Sequence, residues 1–350
     1  MDINILERLC MTPGVSGRED RRGRVAQELV APFVDRTYFD VLGNLVAVKE
    51  GRDPGPTVLL AAHMDEIGFL VTRVEKDGRI RFAPIGYVDP KHMPGQAVVL
   101  YDPQTDGAGD MPGMIQGKVI AFKELDKGHP APTSEFHIEI GASSLQEVLD
   151  RGVKVGTVAA FERRFLRMGD AGYIAAPALD NVAGVHAMIE ALREVGDVPG
   201  TIRAVATTQE ETGLRGARVA GFAGADFCIC LDVSFATDID EDALPRDISS
   251  VRLGGGPAVV LMDKGSFADQ RTLNLVDEAA KRAGVKVQYQ ARDAGRTDGS
   301  EINVSREGIR TVTVGVPVRY LHTPLEMCKT DDQEGTIKFV AELVRTVQRR

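Results

Sequence analysis

The chain has 350 residues, 43% hydrophobic and 27% charged, a balance that suits a globular protein of about two domains at roughly 100–200 residues each. Its formal net charge of −9, with no run of five Lys or Arg, excludes the basic face that nucleic acid or an anionic membrane requires. No apolar run approaches the roughly 20 residues of a membrane span, and Met1–Leu9 lacks the layout of a secretory signal, so the expected compartment is the cytoplasm.

In chain order, the first segment reads as helix: Ser16-Gly17-Arg18-Glu19 has the form of a capping box, and Val25, Leu29 and Val30 recur at helical spacing before Pro32 ends the run. Leu45–Val48 and Thr57–Ala62 follow, the second a continuous apolar run of the kind found in a strand buried on both faces. From about Gly68 to Arg167 the texture changes. Short runs at Phe69–Val74, Ile80–Phe82, Ala97–Leu100, Lys118–Phe122, Phe136–Ile140 and Thr157–Phe161 lie between Gly, Pro and Asp turns, with loops expected at 102–113 and 124–134 and one helix at 143–151. After residue 170 helices and strands alternate: helix Asn181–Val195, strand Ile202–Thr207, helix Leu214–Phe222, strand Phe227–Leu231, strand Ala258–Met262, helix 268–283, strand 285–289, strand Thr311–Val316 and helix 334–348. The expected fold is therefore α/β, a mostly parallel sheet covered by helices over 1–68 and 167–350, interrupted at 69–166 by a small β domain, barrel- or sandwich-like.

Candidate chemistry collects where the buried strands end. His63-Met64-Asp65-Glu66 follows the first, Gln209-Glu210-Glu211 follows Ile202–Thr207, Asp232 follows Phe227–Leu231, Arg319-Tyr320-Leu321-His322 follows Thr311–Val316, and Asp180 opens the helix at 181. Ligand sites of open α/β sheets lie at the carboxyl ends of the strands. Each residue alone has an ordinary explanation: Glu210 and Glu211 as acids at a helix start, Asp180 as an N-cap, Asp232 as a turn cap, His63 as a core histidine and His322 as a loop histidine. All of them at one sheet edge would be a coincidence. Two imidazoles with several carboxylates and no cysteine suit Zn²⁺, Co²⁺ or Mn²⁺. One catalytic zinc needs three ligands, so five with one bridging carboxylate suggest two ions about 3.5–4 Å apart. Asp65, two residues past His63, can fix the imidazole tautomer, and the adjacent Glu210 and Glu211 divide naturally into a base and a ligand. Cys228 and Cys230 read as buried thiols, and His92, His129, His137 and His186 as loop or surface residues without a role.

The stretches His63-Met64-Asp65-Glu66-Ile67-Gly68-Phe69, Ala178-Leu179-Asp180-Asn181, Gln209 to Ala217 and Arg319 to Met327 resemble, in order and along nearly the whole chain, the signatures of the tetrahedral aminopeptidases, metallopeptidase family forty-two. The resemblance implies a co-catalytic zinc exopeptidase fold with an inserted PDZ-like β domain, assembly of dimers into a hollow homododecamer, and peptide substrates with a free amino terminus. It also implies roles: His63 and Asp232 on one metal, Glu211 and His322 on the other, Asp180 bridging, Glu210 as general base and Asp65 orienting His63. Two departures stand out. Val182 occupies a position where the family commonly has Arg, which puts a packing or assembly contact in doubt. The family's Gly-Gly-Thr-Asp reads Gly295-Arg296-Thr297-Asp298, so Arg296, with Ser300 beyond it, could meet the substrate and favour an acidic side chain, or Arg296 could be a solvated loop residue.

A serine hydrolase is excluded by the lack of a Gly-x-Ser-x-Gly elbow, and neither a Walker loop nor a dinucleotide fingerprint occurs. An endoglucanase needs no histidine ligands and usually presents aromatic platforms, which a chain without Trp supplies poorly. The nearer rival is a carboxypeptidase or amidohydrolase with the same ligands; an insertion at 69–166, before the Glu pair, favours the aminopeptidase.

Overall fold

A computed structural model describes residues 1–117, 132–239 and 248–350. The strand expected at Lys118–Phe122, most of the loop at 124–134, and His129 lie outside the described residues.

Four buried apolar runs build the centre of an 11-stranded sheet. In spatial order they are Ile202–Thr207, Val58–His63, Phe227–Phe235 and Arg310–Arg319, all parallel. Val58–His63 is buried at every position, as its unbroken hydrophobicity requires of a strand covered on both faces. Around this centre the pairing turns antiparallel. Leu45–Lys49 and Arg36–Phe39 extend one side, and Glu326–Lys329, Tyr173–Ala176 and Leu166–Met168 extend the other. Ala258–Met262 joins the middle of Arg310–Arg319 antiparallel and carries Gln288–Ala291 on its far edge, parallel to it across the Gln270–Ala283 helix. The sheet is therefore mixed: parallel pairing belongs to the strands joined through helical crossovers, and the short flanking strands, which lack such helices, pair antiparallel.

Leu179–Glu194, Gln270–Ala283 and Thr330–Gln348 cover one face together with Ile3–Met11, and their apolar residues merge with those of the sheet in one core that includes Leu60, Val185, Val276, Val314 and Phe339. Arg215–Phe222 and Asp298–Asn303 cover the other face over Val205, Ala217, Cys228 and Ile302. No helix among the described residues is long and apolar enough to cross a membrane.

The first segment differs from its expected form. It holds two helices, Ile3–Met11 and Asp20–Val30, and the second starts without a side-chain cap. Ser16 is drawn away to a hydrogen bond with Thr212, and Glu19 accepts from the backbone of Gly17 and Gln209, so the capping box is dissolved by partners far along the chain. The helix does stop before Pro32. The strand expected at 285–289 begins at Gln288 because Gly284, at φ 64°, terminates the preceding helix and Val285 still donates to Ala280.

Between Gly68 and Phe161 a closed barrel forms from Gly68–Val74, Ile80–Ile85, His137–Glu139, Met111–Gln116, Ala97–Tyr101 and Val158–Phe161. Phe69 anchors its core, meeting Phe82 and Phe161 edge-to-face at 5.0 and 5.2 Å. The Met111–Gln116 strand overlaps the loop expected at 102–113, its Pro112 and Gly113 disguising it as a turn. A Cβ at Gly113 would stand 2.9 Å from Ile138 and 3.0 Å from Leu100, so the barrel core leaves no room there for a side chain. Helix Leu145–Asp150 lies within the expected 143–151 and is capped by Ser144.

The junction of barrel and sheet is polar and buried. Glu66 accepts from both Arg22, at 2.7 Å, and Arg163, and also from the Gly14 backbone; none of these three side chains is more than 7% exposed. Tyr101 of the barrel accepts from the Val15 backbone, and Arg21 grips Asp110 through two hydrogen bonds of 2.7 and 2.9 Å.

Candidate metal centre

His63 is the last residue of its strand, and the side chains expected to collect there do so. Its Nε2 is 3.1 Å from Asp180 Oδ1 and 3.9 Å from Asp232 Oδ1. His322 points Nε2 at the other oxygen of the same carboxylate, 3.4 Å from Asp180 Oδ2, and stands 3.6 Å from Glu211 Oε1. Two ligand groups result, each with its atoms within 4.8 Å of one another: His63, Glu210 and Asp232 in one, and Asp180, Glu211 and His322 in the other.

Local backbone makes this convergence possible. Among the described residues six non-glycine residues have positive φ, and five of them, Ala178, Gln209, Leu214, Tyr320 and His322, sit in the segments that carry these side chains. Such conformations cost about 1–3 kcal/mol each and persist only where the surroundings hold them. The Glu210–Glu211 turn closes on itself through Gly213 and Leu214 N–H groups donating to the Glu210 carbonyl. Gly216 packs so tightly below it that a Cβ would lie 2.5 Å from the Thr208 carbonyl oxygen.

Three buried carboxylates hold the chain segments, and only one was expected. Asp65 accepts from the N–H groups of Glu210 and Glu211, at 3.0 Å each, so its main grip is on the glutamate pair; its Oδ1 is 3.5 Å from His63 Nδ1 without making a hydrogen bond. Glu19 accepts from the Gln209 N–H at 3.0 Å, giving three successive amides bound by two acids. Glu326 accepts from the N–H of Asp180 at 2.7 Å and of His322 at 2.9 Å, clamping the two strand-end turns to each other. Glu326 closes the Arg319–Met327 motif, which was its sequence signal, whereas Glu19 was hidden inside an apparent helix cap.

The barrel reaches the same place. His322 Nδ1 bonds the Tyr87 carbonyl at 3.0 Å, which leaves Nε2 as the nitrogen facing Asp180, and Gly86 lies so close to Glu211 that a Cβ there would be 3.0 Å from Oε2.

The electrostatics require positive charge. Burial first, then the neighbouring Asp180, pushes Glu211 up to about 8. Burial raises Asp232 to about 7 against the pull of His63, and burial with surrounding acids raises Glu210 well above the ordinary carboxylate range. Burial would raise Asp180 too, but hydrogen bonds from His322 and His63 outweigh it and hold it low. Four carboxylates packed together largely out of water repel one another unless positive charge joins them, and with the two imidazoles they form the donor set that borderline divalent ions take. The residues therefore fit a divalent metal, and their division into two groups fits two.

Other expectations resolve individually. Arg296 pairs with Glu301 at 2.6 Å, and buried Ser300 turns back to donate to the Thr297 carbonyl. Val182 is fully buried in the sheet-facing core. The four cysteines are free and buried. His137 and His186, read as loop or surface residues, are instead buried on a strand and a helix; His186 is pushed down to about 4 by burial and bonded to the Asp2 carbonyl and Gln333.

The M42 glutamyl aminopeptidase family matches residues 43–339. The chain is similar to a lysyl aminopeptidase of Pyrococcus furiosus, 32% identical over 99% of this chain and 98% of that protein. Its fold is similar to that of a TET aminopeptidase from a marine sediment archaeon, Thaumarchaeota archaeon SCGC AB-539-E09, at a TM-score of 0.91, 28% identity and coverage of 99% and 98% of the two chains. It is also similar to that of the Pyrococcus horikoshii TET1 peptidase, described as assembling into a tetrahedron or a large octahedral shell, at a TM-score of 0.85, 26% identity and 98% coverage of both chains. The convergent histidines and carboxylates thus stand in a chain that belongs to the M42 aminopeptidase family, and the protein is a metallo-aminopeptidase.

Proposed function

We propose that this enzyme removes the first residue from peptides with a free amino terminus at a centre of two divalent ions. His63 and Asp232 would hold one ion, Glu211 and His322 the other, and Asp180 would join them. The observation that carries this reading is Asp180 itself, whose two oxygens face the two histidines at 3.1 and 3.4 Å. Zinc is the first candidate, with Co²⁺ or Mn²⁺ compatible with the same donors. Two such ions, when bound, supply Lewis-acid polarisation of the scissile carbonyl and lower the pKa of attacking water towards neutrality.

Glu210 is the general base. Its buried carboxylate accepts the proton of the attacking water and returns it to the leaving amine; burial, by raising its proton affinity, suits it to both transfers. Asp65 and Glu19 keep it aimed by binding the backbone amides of residues 209 to 211. Residues 1–68 and 167–350 act as one catalytic unit, and 69–166 as an inserted unit that completes the site through Tyr87 and contributes to self-association. The tetrahedral and octahedral assemblies described for the horikoshii relative support self-association, for which a dodecamer built from dimers is the proposed form, and a cytoplasmic location agrees with the composition.

The test is hydrolysis of a panel of amino-acyl p-nitroanilides after chelation and again after Zn²⁺ or Co²⁺ is restored, with an N-acetylated peptide and carboxymethylcellulose as controls. Metal-dependent release from free-amine substrates alone is expected. Activity on the acylated peptide or the cellulose, with none on the panel, overturns the substrate assignment.

A further inference from the structure

The barrel presents one large side chain beside the centre without burying it. Strand Ile80–Ile85 is followed by Gly86, at φ 72°, which lays the chain against the catalytic unit: a Cβ there would stand 2.8 Å from Ile67 and 3.0 Å from Glu211 Oε2. Val88 is 5% exposed and packs into the barrel core. Between these two fixed points the Tyr87 carbonyl accepts from His322 Nδ1, and the Tyr87 side chain stays outside, with the residue 69% exposed. Its ring centroid lies 6.2 Å from that of the His322 imidazole at an interplanar angle of 41°, and among the described residues it meets no other ring.

A single exposed aromatic is ordinary on a protein surface, but this one is fastened through its own backbone to a proposed metal ligand. Consecutive Cα atoms are about 3.8 Å apart, so a substrate carbonyl held at the centre brings the residues on both sides of the scissile bond into the range spanned by the ring. Tyrosine is a rigid plate with two side-chain torsions, and it loses little freedom when a second group packs on it. Ring pairs gain more than the area they bury, through edge-to-face or offset contact. The ring carries no formal charge with which to select an acidic or a basic side chain.

We propose that the Tyr87 ring walls the substrate site and favours peptides with an aromatic side chain next to the scissile bond, an inference that rests on the metal-centre reading. Backbone and side chain then have separable roles: the carbonyl supports His322 whatever side chain it carries, and the ring selects substrate.

Initial rates would be measured for the metal-loaded enzyme on the peptides X-Ala-Ala and Ala-X-Ala, with X as Phe, Leu or Ala, for wild type, Tyr87→Phe and Tyr87→Leu. Unmodified peptides avoid the ring of a nitroanilide leaving group. Metal content and thermal unfolding accompany each variant, and calorimetry in a Glu210→Gln background reads binding of the same peptides. Expected are a Phe-over-Leu preference of about three- to tenfold in kcat/KM in one of the two series, its retention in Tyr87→Phe and its loss in Tyr87→Leu. The series that shows it identifies the side chain that meets the ring. Calorimetry should give the same ratio, with metal content and Tm at their wild-type values because the carbonyl is kept. Equal cleavage of Phe and Leu peptides in both series overturns the proposal, as does a preference that survives Tyr87→Leu. A loss shared equally by all the peptides, with a fall in metal content or Tm, also overturns it and leaves Tyr87 its backbone role alone. If none of the peptides is cleaved with metal bound, the aminopeptidase reading fails instead.

Discussion

The two halves of the proposed metal centre are built differently. His63 and Asp232 belong to the parallel sheet, with Glu210 on the turn that follows one of its strands: His63 is 2% exposed at the end of a wholly buried strand, and the core beneath it fixes where it points. Asp180, Glu211 and His322 stand on turns. The His322 side chain is 28% exposed, its backbone is left-handed at φ 60°, and the nitrogen opposite its ligand atom is held by a carbonyl of the barrel. One half follows from forming the sheet; the other also needs the barrel docked in place. Rigid elements position groups more accurately than loops do, so the second half should be the one that fails when supporting contacts are removed.

Glu210→Gln should show the largest effect. A loss of about 10²–10⁴-fold in kcat is expected, since the amide cannot carry the proton, with metal content unchanged in both halves. Metal analysis beside steady-state kinetics checks this, and a fall to one ion per chain would mean that Glu210 is a ligand instead.

Glu66→Gln tests the docking of the barrel. Removing the anion leaves Arg22 and Arg163 buried without a counter-charge, which should destabilise the fold by about 3–5 kcal/mol in chemical denaturation. Burial alone would raise the Glu66 carboxyl, but Arg163 and Arg22 outweigh it and hold it below its ordinary 4.5. A depressed folded-state value contributes stability above 4.5 that is lost as pH falls through it, so acidification should narrow the gap between wild type and variant. A gap that stays constant from neutral pH to below 4 would contradict this.

A narrower break comes from Glu326→Gln. The amide keeps one acceptor oxygen, while Asp180 and His322 each now use a separate one. Metal affinity should fall about 10–100-fold, and more for the His322 half than for the His63 half, as read by titration with a chelator. Equal weakening of both ions would remove the asymmetry between the halves. At the small end, Ser144→Ala removes a helix cap inside the barrel and should cost about 1 kcal/mol of stability with no change in kcat, showing that the junction matters and not barrel stability in general.

The sheet-edge residues were legible because each follows an apolar run long enough to be recognised as a strand, and parallel strands present their carboxyl ends on one side. Glu19 and Glu326 were not legible as supports. The amides of Gln209 and Asp180 that they bind lie 190 and 146 residues away, and Glu19 stood in a sequence whose local form was that of a helix cap. Met111–Gln116 was missed for the opposite reason: Pro112 and Gly113 are turn residues by habit, and only the crowding of Ile138 and Leu100 explains the glycine in a strand.

By itself the sequence determined the alternation of strand and helix, the change of texture at the barrel, and the kinds of side chain that end each central strand, because periodicity and turn chemistry act over about ten residues. The tertiary structure decided which oxygen faces which imidazole, that the sheet turns antiparallel at its flanks, and that the barrel lends a carbonyl to the centre. The contacts that set the centre join segments more than a hundred residues apart, and such contacts exist only after the strands have chosen their neighbours.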